Sequence, residues 1–352
     1  MQPGPDGVIL PGPAGVPVFC TEFWGEILMP VRLPFRPRRD AYPPDLWTKC
    51  PSCSEMLFNK QLDRSMRVCP HCGHHFRISA RARIEQLVDS GSFVERDADL
   101  TPVDALGFID LKAYPDRLMA AHLQTGLRDS SVWGLATMGG KPVSLCVFDF
   151  FFMGGSMASV TGEKVTRAAE AALEQRIPLI IVSSSGGARM QEGTYSLMQL
   201  AKTMAVVERV KAARVPYISV MTDPTTGGTF ASFAVVGDVN LAEPKATIRF
   251  AGERVSSGTI AEELPEGYNT SEFQLSHGFV DRIVPRAKLR DEIVALLGFL
   301  IAPPNGGQGE ALASPASRPR AFFNAIAGAL NTEGNGDRSG SNGQTGEGST
   351  NG

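Results

Sequence analysis

The chain has 352 residues, 43% of them hydrophobic and 20% charged, with a net charge of −3. That composition suits a globular protein with one large or two smaller cores, and the near-neutral balance argues against a general nucleic-acid or membrane-surface binder. No apolar run approaches the ~20 residues needed to cross a bilayer, the longest candidate (293–302) ending at Pro303-Pro304.

Residues 1–45 are rich in Pro and Gly, without hydrophobic periodicity, and read as a flexible leader in which Met29 offers a second start. The leader has no basic segment followed by an apolar one, so no secretory signal is expected. Residues 46–78 form a cysteine-rich module. Cys50-Pro-Ser-Cys53 and Cys69-Pro-His-Cys72 are two CxxC turns separated by residues 54–68. Each turn can aim two thiolates at one ion, and four complete the tetrahedral shell that zinc accepts. Cys50, Cys53, Cys69 and Cys72 are therefore the expected metal ligands, with a Cys3His set using His71, His74 or His75 as the alternative. A closed shell has no position for water, so the zinc is expected to be structural. Six cysteines, four of them in a metal site, fit a reducing cytoplasm better than disulfides. Residues 46–85 hold seven Lys/Arg against three Asp/Glu, a surplus that suits a phosphate, of nucleic acid or of a nucleotide-bearing ligand, or simply a solvated basic face.

Residues 79–302 are expected to form the main domain; from about Pro142 to Leu297 strand-like apolar runs alternate with helical stretches, which predicts α/β architecture. Val143 to Phe150, Leu179 to Val182, Tyr217 to Met221 and Thr247 to Phe250 read as buried strands. Glu163 to Ile177 reads as a helix stopped by Pro178. A longer helix is predicted after Arg189, with Leu197, Leu200, Met204, Val207 and Val210 inward and Lys202, Glu208, Arg209 and Lys211 outward. Residues 303–352, rich in Gly, Ser and Asn, are expected to be a disordered tail, with one or two helical turns at most at Ala321 to Leu330.

Two strand–loop–helix units carry glycine pairs, Gly186-Gly187 and Gly227-Gly228, 41 residues apart. Paired glycines between a strand and a helix let backbone N–H groups face a cleft with no Cβ in the way. The following helix start adds positive potential. Together they make a site for a developing oxyanion. A third pair, Gly154-Gly155, either shapes the same cleft or merely turns the chain.

These residues also carry a family resemblance. Phe152-Met-Gly-Gly-Ser-Met, Ser185-Gly-Gly-Ala-Arg-Met-Gln-Glu192, Ser219-Val-Met-Thr-Asp-Pro-Thr-Thr-Gly-Gly228, Ala242-Glu-Pro-Lys-Ala246, Phe250-Ala-Gly252, Leu264-Pro-Glu-Gly267 and Ser271-Glu-Phe273, together with the zinc module, resemble the carboxyltransferase β-subunits of bacterial acetyl-CoA carboxylase over residues 46–298. The resemblance implies a crotonase-like ββα superhelix behind the zinc ribbon. It implies transfer of a carboxyl group from biotin on biotin carboxyl carrier protein to acetyl-CoA, giving malonyl-CoA for fatty-acid synthesis. The implied partners are a carboxyltransferase α-subunit, two α and two β together, and biotin carboxylase. Glu253, where proline is expected, and Ser256-Ser257-Gly258, in place of a bulkier run, depart from the family and leave open another acyl-CoA as substrate.

On that resemblance, the thioester oxygen is expected on the amides of Gly186 and Gly187, with Gly227 and Gly228 as either further donors or cleft walls. No protein base is required if the biotin ureido nitrogen takes the proton. Arg189 is read as an ion pair with Glu192 in preference to a CoA phosphate contact. Asp223 is read as a turn former, Cys146 as core, and His122 and His277 as ordinary histidines. The rivals are a hydratase or serine peptidase of the same fold using Ser156, Ser184 or Ser185, and a zinc-ribbon nucleic-acid binder.

Overall fold

The structure, a computed structural model, describes residues 46–250 and 267–301. The expected leader and tail lie outside those residues, as do Glu253 and Ser256-Ser257-Gly258.

The CxxC repeats fold as two copies of one turn. β1 (Trp47–Lys49) pairs antiparallel with β2 (Met56–Phe58), and α1 (Asn59–Arg64) follows. The N–H of Cys50 donates to Glu55 O (2.8 Å) while Cys50 O accepts from Ser54 N–H (2.9 Å). Cys69 repeats this with His74 O (2.8 Å) and Gly73 N–H (3.0 Å). The turn needs a left-handed residue after its second cysteine, supplied by Ser54 (φ 63°) and Gly73 (φ 72°). Apart from cysteines, only Leu57 and Leu62 are buried in the cluster at the centre of this unit. So little apolar area cannot offset chain entropy, and a cross-link through metal is the natural remedy.

The rest is one twisted sheet between helices. β3 (Val94–Arg96), β4 (Ser131–Met138), β5 (Lys141–Phe148), β6 (Leu179–Ser185), β7 (Tyr217–Thr226), β8 (Val239–Ala242) and β10 (Arg282–Ile283) lie in the order β10-β8-β7-β6-β5-β4-β3, with β9 (Ile248–Arg249) on the far end of β7. β3, β4 and β5 pair antiparallel, and from β5 to β10 the pairing is parallel. Parallel strands covered on both faces read as unbroken apolar runs, and β6 shows why. Leu179 and Ile181 join the cluster built with α4 (Ser159–Gln175) and α5 (Thr194–Ala212) through Val165, Ala168, Val207 and Val210. Ile180 and Val182 face α2 (Ala80–Leu87) and α7 (Arg286–Leu300) through Ile84, Leu87, Leu289 and Ile293.

Several boundaries differ from those expected, each for a long-range reason. β6 runs to Ser185 and β7 to Thr226, because Ser185 pairs with Thr225 across a register shift and β9 pairs with the end of β7. The glycine pairs therefore come directly off strand ends. α4 begins at Ser159, four residues early, because its first N–H is capped by the Glu192 carboxylate at 2.7 Å, a partner from another loop. The strand expected over Thr247 to Phe250 is only Ile248–Arg249.

α5 buries a different face in its first half. Ser196, Gln199 and Thr203 point inward with Val206, Val207 and Val210, while Leu197 is 57% exposed. α4 and α5 pass so closely that a Cβ on Gly162 would lie 2.2 Å from Gln199 Oε1. Small or self-bonded side chains suit that approach better than leucine: Ser196 Oγ bonds Gly193 O at 2.7 Å, and Thr203 Oγ1 bonds Gln199 O at 2.8 Å.

Buried charges hold the ribbon against the sheet. Glu243, just past β8, accepts from Arg286 Nε and Nη2 at 2.8 Å each and lies 2.6 Å from Arg83 Nη1. The Arg286 backbone N–H donates to His75 Nε2 (3.2 Å), and its Nη1 donates to Met66 O (2.9 Å) in the ribbon. With Nε2 accepting, His75 must carry its proton on Nδ1, which bonds Gly73 O at 2.9 Å. Burial pushes the Glu243 pKa up, but the Arg83 charge and the Arg286 hydrogen bonds outweigh it and hold the carboxyl at about 2. Glu243→Gln, which strands two guanidiniums, is expected to cost about 3–5 kcal/mol. Because the folded pKa lies below the ordinary 4.5, this stability is fully present above pH 4.5 and is lost as the pH falls toward 2. Urea unfolding of wild type and Glu243→Gln across that window checks it: their difference should shrink with acid.

Candidate functional site

The four predicted ligands come together. Cys50, Cys53, Cys69 and Cys72 place their sulfurs within 4.8 Å of one another, with Cys50–Cys72 at 3.7 Å and Cys53–Cys69 at 3.8 Å. A tetrahedral shell with ~2.3 Å Zn–S bonds has edges of about 3.8 Å, so the residues present fit zinc. His75 has both ring nitrogens engaged, and the His74 ring stands edge-on to Phe76; the four-sulfur set is the one that the structure gathers. The basic surplus beside it is largely neutralised. Arg67 pairs with Asp63 within the module, while Arg77, Arg81 and Arg83 pair with Asp223, Glu95 and Glu243 of the sheet domain.

The two main glycine pairs also meet. Gly187 has φ 111° and Gly227 φ 61°, backbone conformations that side chains resist. A Cβ on Gly187 would stand 3.3 Å from Gly227 Cα and from Thr226 O, and one on Gly227 would stand 3.1 Å from Gly187 Cα. The third pair joins them: Gly186 N–H donates to Gly154 O (2.9 Å), Met157 N–H to Gly187 O (2.8 Å), and Arg189 N–H to Met157 O (2.8 Å). A Cβ on Gly155 would lie 2.0 Å from Ser184 O. All three glycine segments thus line one place, and Gly154-Gly155 does more than turn the chain.

Three of the four amide hydrogens at the main pairs have partners inside the protein. Gly186 bonds Gly154 O, Gly227 bonds Phe250 O at 3.1 Å, and Gly187 bonds Ser185 Oγ at 3.1 Å. Gly228 is the second residue of α6 (Gly227–Phe230), where a helix leaves N–H groups without an intrahelical partner. The helix behind the first pair does not start at the loop. A 3-10 turn (Met190–Glu192) and Gly193 intervene before Thr194, so its positive end is not at Gly186-Gly187.

Arg189 is buried and reaches partners that sequence reasoning missed. Its Nη2 bonds the Asp129 carboxylate, Ser130 Oγ (3.2 Å) and Ser156 O (3.0 Å). Nη1 bonds Tyr114 OH (3.1 Å), and Nε bonds Ser156 Oγ (3.0 Å). Glu192, the expected partner, keeps a long ion-pair contact at 4.0 Å and also accepts from Tyr114 OH (2.8 Å). The cation is therefore paired across 60 residues of chain.

Residues 76–267 match the carboxyl transferase domain family, and residues 47–72 match the acetyl-CoA carboxylase zinc finger domain family. The acetyl-coenzyme A carboxylase carboxyl transferase subunit beta of Citrifermentans bemidjiense is 51% identical over 75% of this chain and 94% of its own length. That of Gloeobacter violaceus is 54% identical over 72% and 83%. The chain belongs to this β-subunit family. Among solved structures, transcarboxylase 12S with methylmalonyl-coenzyme A and methylmalonic acid bound is 26% identical, with a TM-score of 0.55 over 63% of this chain; this chain spans 41% of that one. A single-chain, multi-domain long-chain acyl-CoA carboxylase shares the fold, with 24% identity and a TM-score of 0.54 over 68% of this chain and 23% of that one. The α/β fold is thus the carboxyl-transferase, crotonase-like type that the resemblance implies.

The remaining residues of the β-type chain fall into place around these sites. Asp223 is no local turn former: its carboxylate binds Arg77 at 3.1 Å and accepts Thr247 N–H at 3.0 Å. Cys146 is buried in the core, where burial pushes its thiol up to about 12. His122 bonds Leu127 O, and His277 stacks on Phe273. Among the described residues, no histidine bonds Ser156, Ser184 or Ser185, so the peptidase reading gains no dyad. No described helix is long and apolar enough to cross a membrane. Elemental analysis should find one zinc per chain, retained by the wild type and lost from Cys50→Ser with Cys69→Ser. Chelation should unfold residues 46–78 by amide hydrogen exchange while β5, β6 and β7 stay protected.

Proposed function

We propose that this chain is the acyl-CoA-binding half of a biotin-dependent carboxyltransferase, which moves a carboxyl group from carboxybiotin on its carrier protein to acetyl-CoA. The product, malonyl-CoA, serves fatty-acid synthesis. Family membership supplies the reaction class, and the contact between Gly187 and Gly227 carries the assignment of the site. The chain spans 41% of the transcarboxylase chain that it matches, consistent with a second half supplied by an α-type partner, in a complex of two α and two β subunits served by biotin carboxylase. The work is placed in the cytoplasm.

The acetyl thioester oxygen gains negative charge as its methyl proton leaves, and fixed amide donors stabilise it more than they stabilise the ground state. Donors at the meeting of the loops suit this best. Gly228 N–H has no helical partner, and Gly187 N–H has only a neighbouring hydroxyl to give up. Gly186 and Gly227, whose amides bond backbone carbonyls, act as walls that set the distance between the loops. Carboxybiotin, when bound, supplies the carboxyl group and a ureido nitrogen that accepts the proton, so the chain needs no base of its own. The zinc shell has no open position and holds the ribbon fold.

Gly187→Val should drive a branched side chain into Gly227 and misalign the donors. Turnover in the assembled enzyme should fall at least ~100-fold, while affinity for free CoA stays within threefold. Gly154→Ala, whose added Cβ meets nothing within 4 Å, should be milder. A Gly187→Val enzyme that folds, assembles and turns over normally defeats the oxyanion assignment. Malonyl-CoA formation should require co-purification with an α-type partner; robust turnover by the isolated chain would overturn the half-site reading.

A further inference from the structure

A cavity of about 450 Å³ opens beside the glycine loops, between α3 (Tyr114–Thr125) and the loop segments at Gly154, Ser156 and Ala188. Lys112, Arg117 and Arg189 are the charged residues that line it, and no acidic side chain does. Arg117 is partnered by Asp110 and Arg189 by Asp129; Lys112 is exposed at the rim.

Ser156 stands in that wall with an unusual division of labour. Its carbonyl accepts both Ser130 Oγ (2.7 Å) and Arg189 Nη2 (3.0 Å), which fixes the backbone. Its Oγ accepts from Arg189 Nε at 3.0 Å. A guanidinium can only donate, so that contact consumes a lone pair of the hydroxyl and leaves its hydrogen to point elsewhere. Among the described residues no acceptor takes that hydrogen. Arg189 cannot turn away, because its other nitrogens are held by Tyr114, Asp129 and Ser130. The hydroxyl is therefore kept as a donor, polarised by a cation, in a cavity whose lining charges are all positive.

We propose that Ser156 is a catalytic residue that donates a hydrogen bond to the carboxylate being transferred, with Arg189 as the positioning residue that fixes the direction of the donation. The choice of a carboxylate over the thioester oxygen follows from charge: the transferred group is anionic before and after transfer, whereas the thioester is neutral in its ground state. No covalent bond to Ser156 is involved. The inference rests on the proposed carboxyl-transfer function.

The test compares malonyl-CoA, which carries the carboxylate, with acetyl-CoA, which lacks it, by titration calorimetry on the enzyme assembled with its α-type partner. Ser156→Ala should weaken malonyl-CoA binding about tenfold, as for a charge-assisted bond, and leave acetyl-CoA binding within twofold. Ser156→Thr, which keeps the hydroxyl, should recover most of that loss. Arg189→Lys should lose the same discrimination between the two esters, a readout that a merely structural arginine would not move. If Ser156→Ala fails to assemble, Ser156→Cys, similar in shape but a feeble donor, carries the same expectation. Unchanged malonyl-CoA affinity in a folded Ser156→Ala enzyme, or equal losses for both esters, overturns the inference alone. A wild-type complex that binds neither ester and transfers no carboxyl group overturns the function on which it rests.

Discussion

The approach of Gly187 to Gly227 is the constraint around which the chain is arranged. Two turns that touch at Cα distance admit no side chain on either, so both positions must be glycine, and both take positive φ. Bringing them there requires β6 and β7 to be neighbours, paired in parallel, and extended past their apolar runs to Ser185 and Thr226. That extension is bought with hydroxyls. Thr222 Oγ1 and Thr225 Oγ1 bond Ser183 O, and Thr229 Oγ1 bonds Ser185 Oγ. Thr222, Thr225, Thr229 and Ser185 can line the strand ends because their hydroxyls find partners in the adjacent strand or loop.

Two buried cations orient what surrounds this contact. Arg189 ties the 129–130 bend, α3 and the Ser156 segment to the first glycine loop, and Arg286 ties α7 and Glu243 to the ribbon. A buried ion pair adds little net stability over a well-packed apolar substitute, because desolvation absorbs most of the Coulomb gain. What each arginine does contribute is direction. A planar fork of donors fixes several acceptors at once, and at both places those acceptors come from segments far apart in sequence. Leucine could fill either space but could not align Ser156, Tyr114 and Asp129 relative to one another.

The parts of this arrangement that were legible in the sequence are those with a local signature. The CxxC turns repeat one hydrogen-bond pattern, so their spacing alone announced the cluster of sulfurs. β5, β6 and β7 read correctly because strands buried on both faces leave an apolar run. The glycine pairs were visible as pairs, but which amides are free was not, since that depends on Gly154 O and Phe250 O reaching in from other segments. The same reason explains the α4 start, capped by Glu192, and the nearer carboxylate partner of Arg189, which lies at Asp129. The inward face of α5 departs from periodicity at its start because close packing against Gly162 favours Ser196, Gln199 and Thr203 over Leu197, while Leu200 still packs against the core.

The ribbon is coupled to the glycine contact through Asp223. Its carboxylate holds Arg77, just beyond the second knuckle, and the Thr247 N–H that leads into β9; its carbonyl accepts Ser184 Oγ at 3.3 Å. Three residues later the chain reaches Thr226, whose hydroxyl bonds Ser185 O at 3.2 Å, and then Gly227. Movement of the ribbon is therefore resisted at the point where the two loops are set against each other. Arg77 also lies 3.9 Å over the Phe150 ring, which ties the same arginine to the segment leading into the third glycine pair. A module with almost no core of its own thus reaches the segments leading to two of the glycine pairs through one side chain. A zinc ion held by Cys50, Cys53, Cys69 and Cys72 would, by keeping that module folded, support the geometry of the cleft from outside it.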